Sequence, residues 1–395
     1  MNRLFNFNQK LSIRMPILIS IVFLSLISIS ILKSAGNFES EIFGLMFSRV
    51  QKQILWIIIG IFLFIMIQFI RLRFFHEKMF LFYFVFLFIL ILPFFSEATK
   101  GAQNWFLGFQ PSEIGKIIIV ISMAKILSDN KKYINNLMFL FASILILIIP
   151  ICIFIAQRDL GAALVYSFIF IPMAYWSGLK PFLIFFLISP ILTIYTRLYV
   201  SIHDAYSSYE GYTYILVPFF LLLNCIFFVR FFFNNKESSR YKLFFMCSYI
   251  VVNLSFSFLS SYSWNYLNET EAISKRSADL KGRIENFVIP SLNENAGGWH
   301  IKQSMVAVGS GGVFGTGLGE GTQVNLRFLP EADTDFIIAS IAEALGFTFI
   351  LIIIFLYFNL LYWLLFYAHH LSSLFLSLLI IGYSSLLFAH IIITL

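Results

Sequence analysis

The sequence predicts an all-α integral membrane protein, a polytopic bundle of about 10 to 11 transmembrane helices with one long outward-facing loop. Three observations carry that reading. Hydrophobic residues make up 59% of the 395 positions and charged residues 12%, with a mean hydropathy of +0.87, far outside the range of soluble globular chains. The apolar runs are unbroken rather than alternating, which excludes a closed membrane barrel. The polar material gathers in one late stretch, Gly298 to Gly346, where glycines crowd and acids cluster between membrane segments.

A span needs about 20 apolar residues, and eleven segments meet that measure: 15–32, 54–70, 79–95, 112–128, 137–156, 160–178, 181–199, 214–233, 243–262, 335–366 and 371–395. The first is flanked by Arg3, Lys10 and Arg14 and lacks a small-residue cleavage site, so it is a retained helix and not a removed signal. With the N-terminus inside, the inner loops carry Arg71, Arg73 and Lys78, then Lys131 and Lys132, then Lys180, then Lys236, Arg240 and Lys242. The positive-inside rule is met at each. The same orientation places 33–53, 96–111, 156–160, 200–213 and the long segment 263–334 outside. No internal repeat is visible, and the whole of 1–395 reads as a single membrane domain.

The net charge of +7 resides largely in those short loops, where it is a topology signal and gives no ground for nucleic-acid binding. Cys152, Cys225 and Cys247 fall inside apolar runs, so no disulfide framework is implied. The 6 histidines show no ligand spacing, and no transition-metal site is assigned.

Several motifs carry chemistry. Segment 101–116 leads into a helix with Pro111 in its first turn and Glu113 beside the positive end of the helix dipole. Glu113 and Lys116 are three apart, share a face and can pair. That pair reads either as a simple interfacial ion pair or as part of an interior cavity, because ionisable groups at membrane depth are costly. Gln157-Arg158-Asp159-Leu160-Gly161 joins two helices tightly, with Asp159 a natural cap. The glycines from Gly309 to Gly321 lack the strand and βαβ unit of a dinucleotide fingerprint, and are left as a re-entrant turn or a backbone cradle for phosphate oxygens. A helix begins near Leu329 to Asp335, capped by Asp333 or Thr334. The acids there would repel an anion unless a divalent cation intervened. Glu343 lies roughly 12 Å further down that helix, an isolated acid expected to be paired with a base or protonated.

Taken together, GAQNWF, GFQPSEIGK, QRDLGAAL, GWHIKQSMVAVGSGG and GTQVNLRFLPEADTDFI closely resemble the motifs of the SEDS family, the shape, elongation, division and sporulation proteins, and look most like its rod-shape branch. The resemblance runs in order from the first helix to the last residue. It implies a peptidoglycan glycosyltransferase of the bacterial inner membrane that polymerises lipid II on the outer face. It further implies a class B penicillin-binding protein as transpeptidase partner and other elongation-complex membrane proteins nearby. It defines no cofactor but admits a divalent cation, Mg or Mn.

The resemblance also assigns residues. Glu113, Lys116, Asp159, Gly161, Gln303, Ser304, Gly311, Glu331 and Asp335 match family motif positions. Glu113 and Lys116 would support a lipid-facing cavity, and the glycine loop with Asp335 would shape the pyrophosphate or cation region. The family's general base, an Asp in the long outer loop, falls on Asn293 in this sequence, with Glu294 directly after. Asn cannot accept a proton at neutral pH, so either Glu294 takes the role after a one-residue shift or the transferase is disabled; Glu294 is the favoured base. Asn104 stands where the family has Arg, Arg158 replaces Pro, Asp333 replaces His, and Ala344 replaces the second acid of Glu-Glu-Leu-Gly. The pair of helices within 214–262 reads as an insertion, and the final family helix is expected to be missing beyond Leu395. A lipid II translocase, in which intramembrane charges would mark a transport path, and a non-catalytic scaffold of the elongation complex are the rival readings.

Overall fold

The computed structural model describes residues 7–34, 39–42, 45–96, 104–106, 110–206, 218–219, 222–226, 228–230, 239–270, 281–282, 284–285, 297–326, 328–329, 332 and 336–394. The described chain is almost wholly helical. Helix α1 (Phe7–Ser34) is followed by two short antiparallel strands, β1 (Glu39–Ile42) and β2 (Leu45–Ser48), paired with Glu39 opposite Ser48 and Ile42 opposite Leu45. Then come α2 (Arg49–Gln68), α3 (Leu72–Ile91), α4 (Pro111–Asp129), α5 (Leu137–Ala156), α6 (Leu160–Ser177), α7 (Pro181–Tyr206), α8 (Ser239–Thr270), α9 (Gly297–Gly311), the one-turn α10 (Thr322–Asn325), α11 (Ile337–His369) and α12 (Leu374–Thr394).

Of the eleven expected spans, eight coincide with helices long and apolar enough to cross a membrane. The helix in the 160–178 region is shorter, its apolar part running from Gly161 to Ser177. Segment 112–128 forms α4, of full length but carrying Glu113, Lys116, Lys125 and Asp129, which keeps it outside those eight. Half of segment 214–233 lies outside the described residues.

Local sequence accounts for the helix ends. Ser48 and Gln51 form a reciprocal capping box at the start of α2. Pro111 occupies the first turn of α4, as expected. Asn136 caps α5, its side chain accepting from the Met138 amide at 3.0 Å. Asp159 caps α6 by accepting from the Ala162 amide at 2.9 Å, and Gly178, at φ 107°, ends α6 in the left-handed conformation.

The chain divides into two compact units, Met1–Gly178 with Gln303–Leu395, and Leu179–Lys302. In the first, α12 packs on α4, α6 and α11, and α1 lies along α11. Asn359 of α11 donates to the Ser20 hydroxyl of α1 at 2.9 Å. Further along the pair, Ile31 packs against Ile341 and Ala344, so α1 and α11 run antiparallel. Helix α2 has no buried residue and presents apolar side chains all round, as a helix in lipid does. In the second unit α7 and α8 are tied by a buried polar seam. Thr193 donates to Asn253 at 2.7 Å, and the Asn253 amide donates to Ser189 at 3.1 Å. With no water in the bilayer core, such side chains have to satisfy one another across the helix pair.

Candidate active site

Two polar constructions lie at one end of the first unit, where α4, α6 and α11 begin and α1 and α12 finish. The first joins α4, α6 and α12. Asp159 does more than cap α6: its second carboxylate oxygen accepts from the side-chain amides of Asn104 at 2.8 Å and Gln110 at 3.0 Å. Since Gln110 is the residue on which α4 starts, one carboxylate fixes the starts of two helices together. The Tyr166 hydroxyl adds a bond to the Ser112 carbonyl at 2.6 Å.

One turn into α4, the pair predicted from spacing is formed. Lys116 Nζ donates to Glu113 Oε1 at 2.7 Å, with the Lys116 side chain 11% exposed and that of Glu113 58%. A third residue completes the cluster. Lys116 Nζ lies 2.9 Å from Nε2 of His390, near the end of α12. An ammonium has only donors, so His390 Nε2 is the acceptor.

The second construction is a break in α11. At Gly346 the backbone takes φ 79° and ψ 178°, a region open essentially to glycine. The groups freed on either side of the break are taken up by the glycine-rich turn after α9. Thr316 and Gly317 amides donate to the Glu343 and Ala344 carbonyls at 2.9 and 3.0 Å, and the Phe347 and Thr348 amides donate to the Gly312 and Val313 carbonyls at 3.0 and 3.2 Å. A broken helix is tolerated at membrane depth only when its polar backbone is satisfied in this way. The approach is close: a Cβ on Gly311 would lie 1.9 Å from the Ala342 carbonyl oxygen. Glu343, fully buried, accepts from the Gln323 and Val324 amides at the start of α10 at 2.8 and 3.1 Å.

Glu343 is held by backbone amides, and no base pairs with it among the described residues. The glycine turn spends amides 316 and 317 on the carbonyls at the break in α11, as a re-entrant turn packed against that helix does. The turn is also narrower than the glycine pattern suggested, because Gly309 and Gly311 lie within α9.

Glu113, Lys116 and Asp159 are thus brought together, while Gly311 belongs to the second construction and the half-buried Gln303 and Ser304 sit on α9. Asn293, Glu294, Glu331, Asp333, Thr334 and Asp335 lie outside the described residues. Sequence reasoning passed over His390, Asn104 and Gln110 as partners. The position of Gln110 just before Pro111 was the one available signal, marking it as the start of α4.

The chain matches the model of the FtsW, RodA and SpoVE cell cycle proteins over residues 9–210 and 243–395. It belongs to that family. This is the SEDS family that the motifs resemble, and the relatives agree with the rod-shape branch. The chain is 28% identical to the peptidoglycan glycosyltransferase RodA of Treponema pallidum (strain Nichols) over 369 residues, covering 90% of this chain and 81% of that one. It is 26% identical to the probable peptidoglycan glycosyltransferase FtsW of Bacillus subtilis (strain 168) over 267 residues, spanning 66% of this chain and 50% of the relative. A 75-residue stretch is 48% identical to the peptidoglycan glycosyltransferase MrdB of Escherichia coli (strain K12), 19% of this chain and 20% of that one. The fold is similar, at a TM-score of 0.52 and 17% identity, to a chain from a solved peptidoglycan synthase complex that coordinates polymerization and crosslinking, covering 85% of this family member and 75% of that chain.

Proposed function

We propose that this family member is a peptidoglycan glycosyltransferase that polymerises lipid II into glycan strands during cell elongation. The observation that carries this reading is the buried Lys116 beside the half-exposed Glu113 at the end of the bundle that also holds the Asp159 cap and the break in α11. A lysine side chain buried in a membrane bundle is costly, and membrane proteins bear that cost mainly at functional sites.

The protein works with its N-terminus in the cytoplasm, in the bacterial inner membrane, so that segment 263–334 faces outward and meets lipid II on the outer leaflet. Glu294 is the general base. It takes the proton of the acceptor sugar hydroxyl, the oxygen attacks the anomeric carbon of the donor, and the bond from that carbon to the lipid pyrophosphate breaks. The pyrophosphate leaves with the electron pair, and the configuration inverts. Lys116 supplies positive charge toward the departing oxygens, and Asp159 keeps the starts of α4 and α6 in register around it. A class B penicillin-binding protein crosslinks the product within an elongation complex. Among the described residues no three His, Cys, Asp or Glu side chains gather closely enough to hold Mg or Mn.

The deciding experiment supplies purified protein, with its penicillin-binding partner, with lipid II and follows glycan by gel electrophoresis. The wild type makes polymer and Glu294→Gln makes about 100-fold less, the usual scale of general-base catalysis. If the wild type is inert and Asn293→Asp is active, the protein is instead a disabled scaffold. Transfer of lipid II across liposomes without polymer would make it a translocase.

A further inference from the structure

We infer that His390 is a positioning residue that aims the Lys116 ammonium at the substrate. The observations are local and mutually consistent. Lys116 is nearly buried, and a lysine in that setting has three N–H bonds to place. One goes to Glu113 on its own helix at 2.7 Å and one to His390 on α12 at 2.9 Å. Among the described residues no acceptor takes the third. Two fixed bonds from two different helices determine where the third N–H points, whereas a single bond to Glu113 would leave the ammonium free to rotate on a flexible four-carbon stem. Glu113, 58% exposed, cannot hold the lysine by itself, because a half-solvated pair is weak and mobile. Among the described residues, His390 is the only contact of the ammonium made from another helix.

The chemistry that fits the third N–H is an anionic oxygen, which on the proposed function is an oxygen of the lipid-linked pyrophosphate. Lys116 would touch that oxygen and His390 would act only through Lys116. His390 must be an acceptor at Nε2 for this purpose, so the demand is for a hydrogen-bond acceptor at that distance and not for an imidazole as such. Gln can meet it through its side-chain oxygen, and Phe cannot.

The test uses the full chain carrying His390→Gln or His390→Phe, and has two arms. In the first, the intact protein in detergent is pulsed with an amine-acetylating reagent, and Lys116 is quantified by mass spectrometry against Lys125, whose Nζ is held separately by the His76 carbonyl. Acetylation of Lys116 rises at least 3-fold in His390→Phe and stays at the wild-type level in His390→Gln. Equal labelling in all three proteins overturns the inference, and this arm holds whether or not the protein makes glycan. In the second, lipid II polymerisation falls about 10-fold or more in kcat for His390→Phe with KM little changed, while His390→Gln stays within about 3-fold of wild type. Loss of activity in both variants together with lowered thermal stability would mark His390 as a packing residue and overturn the positioning role. A wild type that makes no glycan while the labelling pattern holds would sink the proposed function but leave the His390–Lys116 contact standing.

Discussion

At the scale of single residues, the two carboxylates that organise the site do so through neutral donors. Glu343 is fully buried and accepts two backbone amides from α10. Glu343→Ala strands both amides away from water, at about 1–3 kcal/mol for each orphaned donor, and leaves a void besides. Glu343→Gln keeps one acceptor of the right length. Thermal unfolding in detergent is expected to rank the proteins wild type, then Gln, then Ala, with the Ala variant less stable by about 2–5 kcal/mol. Equal melting temperatures for Ala and wild type would show that the amides find other partners. Asp159 makes the complementary case, with one oxygen on the α6 amide and the other on Asn104 and Gln110. Asp159→Asn retains an acceptor for the cap, so it should lose about 1 kcal/mol or less, whereas Asp159→Ala should lose about 1–2 kcal/mol. Polymerisation should fall further in the Ala variant than in the Asn variant, because only Ala releases the start of α4 as well as the cap of α6.

At the scale of elements, the break in α11 is the feature on which the end of the bundle depends. Gly346→Ala would place a Cβ 2.3 Å from the Gly315 amide nitrogen while forcing a side chain into a backbone conformation that only glycine tolerates. The helix then either straightens or sheds the glycine turn, and both outcomes free residues 312–321. Limited proteolysis in detergent should therefore cut within 312–321 several-fold faster in Gly346→Ala than in wild type, and an unchanged pattern would count against the docked turn. Much at this scale was legible beforehand. Apolar runs placed the spans, Pro111 marked the start of α4, the three-residue spacing put Glu113 and Lys116 on one face, and Asp159 was recognisable as a cap. Linear periodicity shows which residues share a face of one helix, but not which faces meet. That is why the contact between Lys116 and His390, 274 residues apart, was invisible, and why the backbone amides that meet Glu343 could not be named. A helix break could be suspected from a glycine-rich neighbour, but only the packed pair shows that Gly346 breaks and the turn repairs.

At the scale of the whole molecule, the two ends of the first unit are chemically unlike. One end carries the Asp159, Lys116 and Glu343 constructions. The other carries His76 against Asp129 at 3.1 Å, Lys125 on the His76 carbonyl at 2.7 Å, and the exposed Lys131 and Lys132 beyond α4. Basic residues just beyond helix ends are retained on the cytoplasmic side, so the proposed orientation puts the second end inside and the constructions outside, where a donor already carried across the membrane could reach them. The prediction uses a protein whose native Cys152, Cys225 and Cys247 are replaced by Ser, carrying either Ser40→Cys in β1 or Lys132→Cys beyond α4. A membrane-impermeant maleimide applied to spheroplasts should label Ser40→Cys and spare Lys132→Cys, and inverted vesicles should reverse the pattern. The reverse result in spheroplasts would place the Lys116 cluster on the cytoplasmic side. Lipid II would then meet the site before translocation, and the extracytoplasmic transferase reading would fall even though both constructions kept their geometry.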